Sequence, residues 1–537
     1  MIPLLRVIDI MRVVARIFPP WGVFAMGCFG FRFLGRTAFC VFVLVGMGHV
    51  RSAWGTALDD YVSAADGHYG FEVVRTFEGA GYRASVIDLT SQQWRTADEV
   101  DRPIWHHWLT IIIPDSAKGG TGFLWIDGGR NGGEGPDSAD DLLGTVATQT
   151  GSVIVILEQV PNQRLKFSDE QDERYVEGGR TEDEILAYSF HKFFETGDPT
   201  WPVLLPMVKS VVRAMDTAQT FVAAATNGRV VVDDFVVSGG SKRGWTTWLT
   251  GAVDGRVRAI APAVIDMLNL DEQLVHHLGA YGFFSPAVQD YVDLGIFDRL
   301  GSGAGQALLG IVDPYEYRDR FAEIPKYLVN STGDEFFLPD SAQFYFAELP
   351  GEKYLRYVPN TSHGIDDPDA LAGVLTFYQS ILKGSARPHF SWTMLSDGSI
   401  CVHTTSIPIG VKLWQATNGS SRNFMKAEIG EAWTSRSLQP ESFGVYVGRV
   451  APPAEGWTAF MVELVFLSGN LIPHTFTTPV RVVPDVLAFG EDGVSVEPIA
   501  EACEPGCGIG LCGAGSVGTA SFMMLGWLGM KVGRRRQ

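Results

Sequence analysis

No stretch of this chain constrains its fold more than Phe235-Val236-Val237-Ser238-Gly239-Gly240-Ser241-Lys242-Arg243-Gly244-Trp245. An apolar run stops at two glycines and a serine, and a helix-like segment from Trp245 to Ala252 follows. Strand, tight turn, serine, helix is the layout of a nucleophile elbow. A serine hydroxyl is a weak nucleophile until a base takes its proton. The turn lifts Oγ off the sheet edge, and the helix N-terminus behind it offers N–H groups to a developing oxyanion. The fit to G-x-S-x-G is incomplete. Gly239, Gly240 and Ser241 are in place, but Arg243 holds the last glycine position and Gly244 comes one residue late. The plain alternative is a strand-to-helix turn with Ser241 as N-cap.

From about residue 57 to 383, short apolar runs alternate with helical stretches, which predicts a mostly parallel, doubly wound α/β sheet. Strands are expected at 84–89, 108–113, 123–127, 153–157, 230–237, 256–264, 327–330 and 354–358, and helices at 182–195, 206–225 and 370–382. The strand ending at Asp127 runs into Gly128-Gly129-Arg130-Asn131-Gly132-Gly133, where a glycine backbone can approach a ligand closely. This glycine cluster resembles the oxyanion loop of lipases and esterases.

Asp334 follows the strand at 327–330, and His363 follows the strand at 354–358. Ser241, Asp334 and His363 therefore stand in the chain order of the α/β-hydrolase triad, each at the carboxyl end of an expected strand. In that reading His363 is the base and Asp334 orients it, with Asp340 a second candidate for the acid. The backbone N–H of Lys242, with one from Gly128 or Gly129, would bind the oxyanion. Lys242 and Arg243 would favour an anionic substrate or simply face solvent.

Residues 267–321 interrupt the alternation with helical material, the position of a cap over such a site. His276 and His277 fall in it. Adjacent histidines on a helix point in different directions, so they read as cap surface and packing rather than a shared metal site. Cys503, Cys507 and Cys512 have no fourth ligand nearby, so no metal is expected, and nothing in the sequence calls for a cofactor.

At 537 residues the chain is too long for one ordinary domain. Past residue 383, short alternating strands such as 411–417, 460–466 and 475–483 predict a β-sandwich of immunoglobulin or fibronectin type III kind over 384–500. The first 57 residues join a basic segment to a short apolar one, as a signal peptide does. Residues 501–537 end in an apolar segment and a basic tail, resembling a C-terminal sorting or anchor signal. These ends imply an exported protein, periplasmic, cell-surface or secreted, whose membrane contact would run through a terminal segment. The net charge of −19 argues against nucleic acid as a partner. The expected partner is a small-molecule, peptide or glycan substrate.

Several stretches resemble the PhoPQ-activated pathogenicity-related protein family. They are Gly197-Asp198-Pro199-Thr200-Trp201-Pro202, residues 239–245, residues 334–340, Lys412-Leu413-Trp414-Gln415-Ala416 and residues 475–485. The resemblance spans about residues 58–490. It implies an exported α/β-hydrolase-like protein with a β-rich C-terminal region, and no defined substrate. Two functions follow as expectations. One is a serine hydrolase of an ester or amide, carbohydrate esterase-like or peptidase-like. The other is a non-catalytic binding, signalling or virulence-related protein on the same scaffold.

Overall fold

The computed structural model describes residues 55–489, apart from 139, 140, 366 and 471. The expected targeting region (but for its last three residues), the cysteine- and glycine-rich tail and residues 490–500 lie outside the described residues. Among the described residues no helix is long and apolar enough to cross a membrane.

The fold is α/β. Its sheet is built from β1 (Gly70–Gly79), β2 (Tyr82–Gln93), β3 (Ile104–Pro114), β4 (Gly120–Ile126), β5 (Ile154–Leu157), β6 (Val232–Gly240), β7 (Val257–Ala263), β8 (Lys326–Ser331) and β9 (Lys353–Val358). Their order is β1-β2-β3-β5-β4-β6-β7-β8-β9. The strands from β5 to β9 in that order are parallel, while β1 to β3 form an antiparallel meander that joins them through β3 and β5. Strand β1 carries no apolar run, because it is an edge with Glu72, Arg75 and Glu78 and is largely exposed; its ladder to β2 is what makes it a strand.

Both faces of the parallel part are covered, which is why its strands read as unbroken apolar runs. In β4, Leu124 and Ile126 face one core while Phe123 and Trp125 face the other. In β6, Phe235 and Val237 alternate with Val236 in the same way. The first core is closed by α2 (Glu182–Thr196), α3 (Leu204–Ala225) and α4 (Lys242–Val253), the second by α1 (Asp141–Thr150) and α7 (Pro368–Lys383). Between β7 and β8 lie α5 (Leu270–Tyr281) and α6 (Gly303–Val312), with shorter helical turns between them.

Helix α2 is placed by its two ends. At its start, Glu184 Oε2 accepts hydrogen bonds from Thr181 N and Oγ1, a capping box. At its end, Gly197 adopts φ 70°, the left-handed conformation that stops a helix most readily at glycine. The residues after Gly197 then anchor the turn. Trp201 packs edge-on to Trp94, Arg95 lies over the Trp201 ring, and Arg95 pairs with Asp198 at 2.9 Å. This motif is therefore structural: it fixes α2, and so the acidic residues of its first turn.

Beyond α7 the chain forms two antiparallel sheets. One contains β10 (Phe390–Met394), β11 (Ile400–Thr404) and β14 (Val445–Gly448). The other contains β12 (Gly410–Asn418), β13 (Thr434–Ser437), β15 (Trp457–Phe466) and β16 (His474–Thr477), with β17 (Arg481–Val483) also on β15. The single strand expected at 475–483 is two strands, split around Pro479, which has no N–H for a ladder. These sheets share a core with the α/β sheet: Phe476 stacks on Tyr354 of β9 at 5.6 Å, and Tyr357 N donates to Thr477 Oγ1 at 2.9 Å. They cover β9, the edge strand that delivers the candidate histidine.

Candidate active site

Ser241 sits where β6 turns into α4, with φ 57° and ψ −128°. A non-glycine residue at positive φ is strained, and such strain persists only where the surroundings enforce it. Here Ser241 N donates to Ala263 O of β7 at 2.8 Å, and Ser241 O accepts from Trp245 N at 2.9 Å. The turn also explains the irregular glycine spacing. A Cβ on Gly239 would come within 2.8 Å of Arg243 Cβ, so glycine before the serine makes room for a side chain after it. A Cβ on Gly244 would lie 2.8 Å from Ala263 O, so the late glycine lets α4 approach β7 closely.

The loops after β8 and β9 bring Asp334 and His363 to this turn. His363 Nε2 lies 2.8 Å from Ser241 Oγ, and His363 Nδ1 lies 2.9 Å from each Asp334 oxygen. A carboxylate only accepts, so the Nδ1 proton faces Asp334 and leaves Nε2 as an acceptor for the serine O–H. Asp334 Oδ1 also accepts from Phe336 N at 2.8 Å, and the Phe336 ring lies 4.3 Å from the imidazole. The two loops are tied by Gly333 N to Thr361 O at 3.0 Å and Ser331 Oγ to Ser362 O at 2.6 Å.

Asp340, the second candidate acid, does not reach His363. It is buried between Arg422 (Nη2 at 2.7 Å) from the C-terminal region and His276 (Nε2 at 3.0 Å) from α5. Burial pushes its carboxyl up, but Arg422 and His276 outweigh this and hold it well below the usual carboxylate range. Of the cap-surface and packing roles expected for His276 and His277, the structure shows packing and not surface, for both are buried. His277 Nε2 accepts from Ser285 N at 3.1 Å, and burial lowers its pKa to about 4, so it is neutral.

Of the expected oxyanion donors, Lys242 N is in the first turn of α4, where a helix offers unpaired N–H groups. Gly128 N is already held by Asp127 Oδ1 at 2.7 Å, whereas Gly129 N has no partner among the described residues. The charged side chains of Lys242 and Arg243 do not face solvent. Lys242 Nζ lies 2.9 Å from both Glu182 and Asp183, and Arg243 binds Glu182 through two bonds of 2.7 Å. Burial alone would raise Glu182, but Arg243 and then Lys242 hold it well below the usual range. The cations beside the serine are neutralised, and nothing in them selects an anionic substrate. Glu182 and Asp183 escaped sequence reading because they lie roughly sixty residues upstream, marked only as the acidic first turn of a helix.

A cavity of about 80 Å³ opens beside Ser241, between α4, α2 and the α5–α6 segment. Between the lining residues Ile265 and Met267, Asp266 is buried and accepts from Tyr345 Oη and Tyr357 Oη, both at 2.5 Å. Burial raises its pKa to about 7. The folded state therefore binds a proton that the unfolded chain, with a carboxyl near 3.9, has lost by pH 5. Stability from this group is present at low pH and declines as pH rises from about 4 towards 7. Asp266→Asn mimics the protonated form and has no proton to lose. Thermal unfolding of the variant is expected to match wild type near pH 4 and to show higher stability at pH 8, by an amount on the order of a few kcal/mol. A Tm difference that is the same at both pH values would contradict this.

Comparison with known proteins comes to the same region of the chain. Residues 58–425 match the family described as PhoPQ-activated pathogenicity-related protein. The chain is 36% identical over 480 residues to autocrine proliferation repressor protein A of Dictyostelium discoideum, covering 83% of this chain and 94% of that protein. Similar solved structures include acetyl xylan esterase 1 from Thermoanaerobacterium sp., with 17% identity, 62% of this chain and 92% of that one covered, and a TM-score of 0.40. A glucuronoyl esterase from Solibacter usitatus is 14% identical, with 62% and 91% covered and a TM-score of 0.33.

Proposed function

This chain belongs to the PhoPQ-activated pathogenicity-related protein family, and from that premise we propose that it is an exported serine hydrolase that cleaves an ester or amide through an acyl-enzyme. The observation that carries this reading is the continuous line from Asp334 through His363 to Ser241, with contacts of 2.9 Å and 2.8 Å. It ends on a serine held in a strained turn at a helix N-terminus.

Ser241 Oγ attacks the substrate carbonyl carbon while His363 Nε2 takes the serine proton. The carbonyl oxygen becomes an oxyanion facing Lys242 N and Gly129 N. Collapse of this intermediate breaks the bond to the leaving group, which departs with the proton from Nε2. Water then attacks the acyl-serine, again giving its proton to Nε2, and Ser241 is regenerated as the acid product leaves. Asp334 keeps the Nδ1 proton in place and stabilises the imidazolium. The two C-terminal sheets are read as a sandwich whose role is to brace the acid and histidine loops. Lys426 N donates to Gly333 O at 3.0 Å, and the Asn360 side chain bonds both N and O of Trp433 at 2.9 Å.

The second reading is a signalling protein on a hydrolase scaffold, and it draws on the name of the proliferation repressor relative. Turnover of p-nitrophenyl acetate and butyrate by wild type and by Ser241→Ala separates the two. The hydrolase reading expects a wild-type rate above background that falls by about 10³-fold or more in the variant. An absent wild-type rate, or one that Ser241→Ala keeps, would favour the signalling reading.

A further inference from the structure

The cavity beside Ser241 differs in chemistry from a site that reads a sugar or a peptide. Its wall is aromatic and aliphatic: Phe190, Trp245, Met267, Leu274, Leu309 and Phe337 are representative. Apart from the hydroxyls of Ser241 and Ser341, the polar side chains on that wall are largely engaged elsewhere. Lys242 is paired with Glu182 and Asp183, and Tyr291 Oη donates to Asp183 at 3.0 Å. The Gln273 amide nitrogen donates to Leu268 O and Ser341 O, and His277 Nε2 accepts from Ser285 N. A hydroxyl-rich or amide-rich group would lose its water there and meet few free partners, at a cost of roughly 1–3 kcal/mol for each unpaired group.

We infer that this cavity takes the acyl part of the substrate, and that this part is a short, unbranched, apolar chain. The inference rests on Ser241 being the acyl acceptor. The leaving group must lie against His363 Nε2 to receive its proton and must then escape, so a chamber that His363 does not line does not suit it. The acyl group stays on the serine until water arrives, and Ser241 itself lines the chamber while His363 does not. The volume of about 80 Å³ is roughly half that of a dry apolar cavity that takes benzene, which fits a chain of about four carbons.

The test is kcat/KM for the p-nitrophenyl esters of acetate, butyrate and laurate. A buried methylene contributes about 0.8 kcal/mol, or about fourfold, so butyrate is expected to exceed acetate by about fifteenfold and laurate to fall below butyrate. Val288→Phe narrows the chamber and is expected to bring the butyrate-to-acetate ratio to about one. Leu309→Ala widens it and is expected to move the optimum towards hexanoate. Acetate equal to or better than butyrate, or an optimum unmoved by either variant, would overturn the inference and leave the hydrolase reading standing. If no ester is turned over, the hydrolase reading fails, and the chamber is tested by binding to Ser241→Ala. A Tm raised by ethyl butyrate, and not by ethyl acetate at equal concentration, would sustain the apolar-chain specificity. No shift with either would overturn it.

Discussion

Asp334→Asn is expected to lower kcat by about 10⁴-fold while leaving the fold intact. Both Asp334 oxygens lie 2.9 Å from His363 Nδ1, and Oδ1 also accepts from Phe336 N. An asparagine of the same shape keeps one acceptor oxygen, and Phe336 N claims it. Its amide NH2 then faces Nδ1, which must become the acceptor. The remaining imidazole proton moves to Nε2, 2.8 Å from Ser241 Oγ, where an acceptor is required. The histidine stays in position with the wrong tautomer, and the imidazolium formed in each step has no counter-charge. Steady-state kinetics with a p-nitrophenyl ester, read alongside circular dichroism and Tm, checks this. A folded variant that keeps more than a tenth of the wild-type rate would remove Asp334 from the account and reopen the question of the acid.

Arg422→Met is expected to destabilise the protein by about 3–5 kcal/mol, the usual consequence of leaving a buried charge without its partner. Arg422, Asp340 and His276 are each less than a tenth exposed. They come from three separate parts of the chain: the C-terminal region, the loop that also carries Asp334, and α5. Methionine fills the space but leaves the Asp340 carboxylate with His276 alone. Because Asp340 is six residues from Asp334, the loosened loop is expected to lower turnover as well. The double variant Arg422→Met with Asp340→Asn has no stranded charge and is expected to recover part of the lost stability, a non-additive result that denaturant unfolding of wild type, both single variants and the double variant can measure. A single variant within 1 kcal/mol of wild type would mean that the trio is not the brace described here.

The parallel strands and the order of Ser241, Asp334 and His363 were legible because they depend on local pattern. Apolar runs end in turns, and each of the three residues follows one. Strands expected at 230–237, 327–330 and 354–358 lie on β6, β8 and β9 with boundary shifts of up to three residues. Choosing Asp334 over Asp340 needed three dimensions, since both are aspartates in one loop and only contact with His363 or Arg422 tells them apart. Lys242 and Arg243 were misjudged for a related reason. A basic pair beside a nucleophile looks available for a substrate until a distant helix start, Glu182 and Asp183, is folded against it. The same holds for His276 and His277, whose burial depends on elements from residues 285, 340 and 422. Edge strand β1 was missed because its apolar residues Phe71, Val73, Val74 and Phe77 are half-exposed among charges and the bulge between Val73 and Arg75 breaks their alternation.

The most direct test of the central claim is covalent labelling with a fluorophosphonate, read by intact mass on residues 55–489 and on the full chain. Such a reagent forms a stable bond with a serine whose proton a neighbouring base removes. The account predicts one added phosphonyl group on folded wild type, mapped to Ser241. It also predicts no addition on Ser241→Ala and a strongly slowed reaction on His363→Ala. Folded wild type that stays unlabelled, or labelling that survives Ser241→Ala, would contradict the assignment of Ser241 as an activated nucleophile.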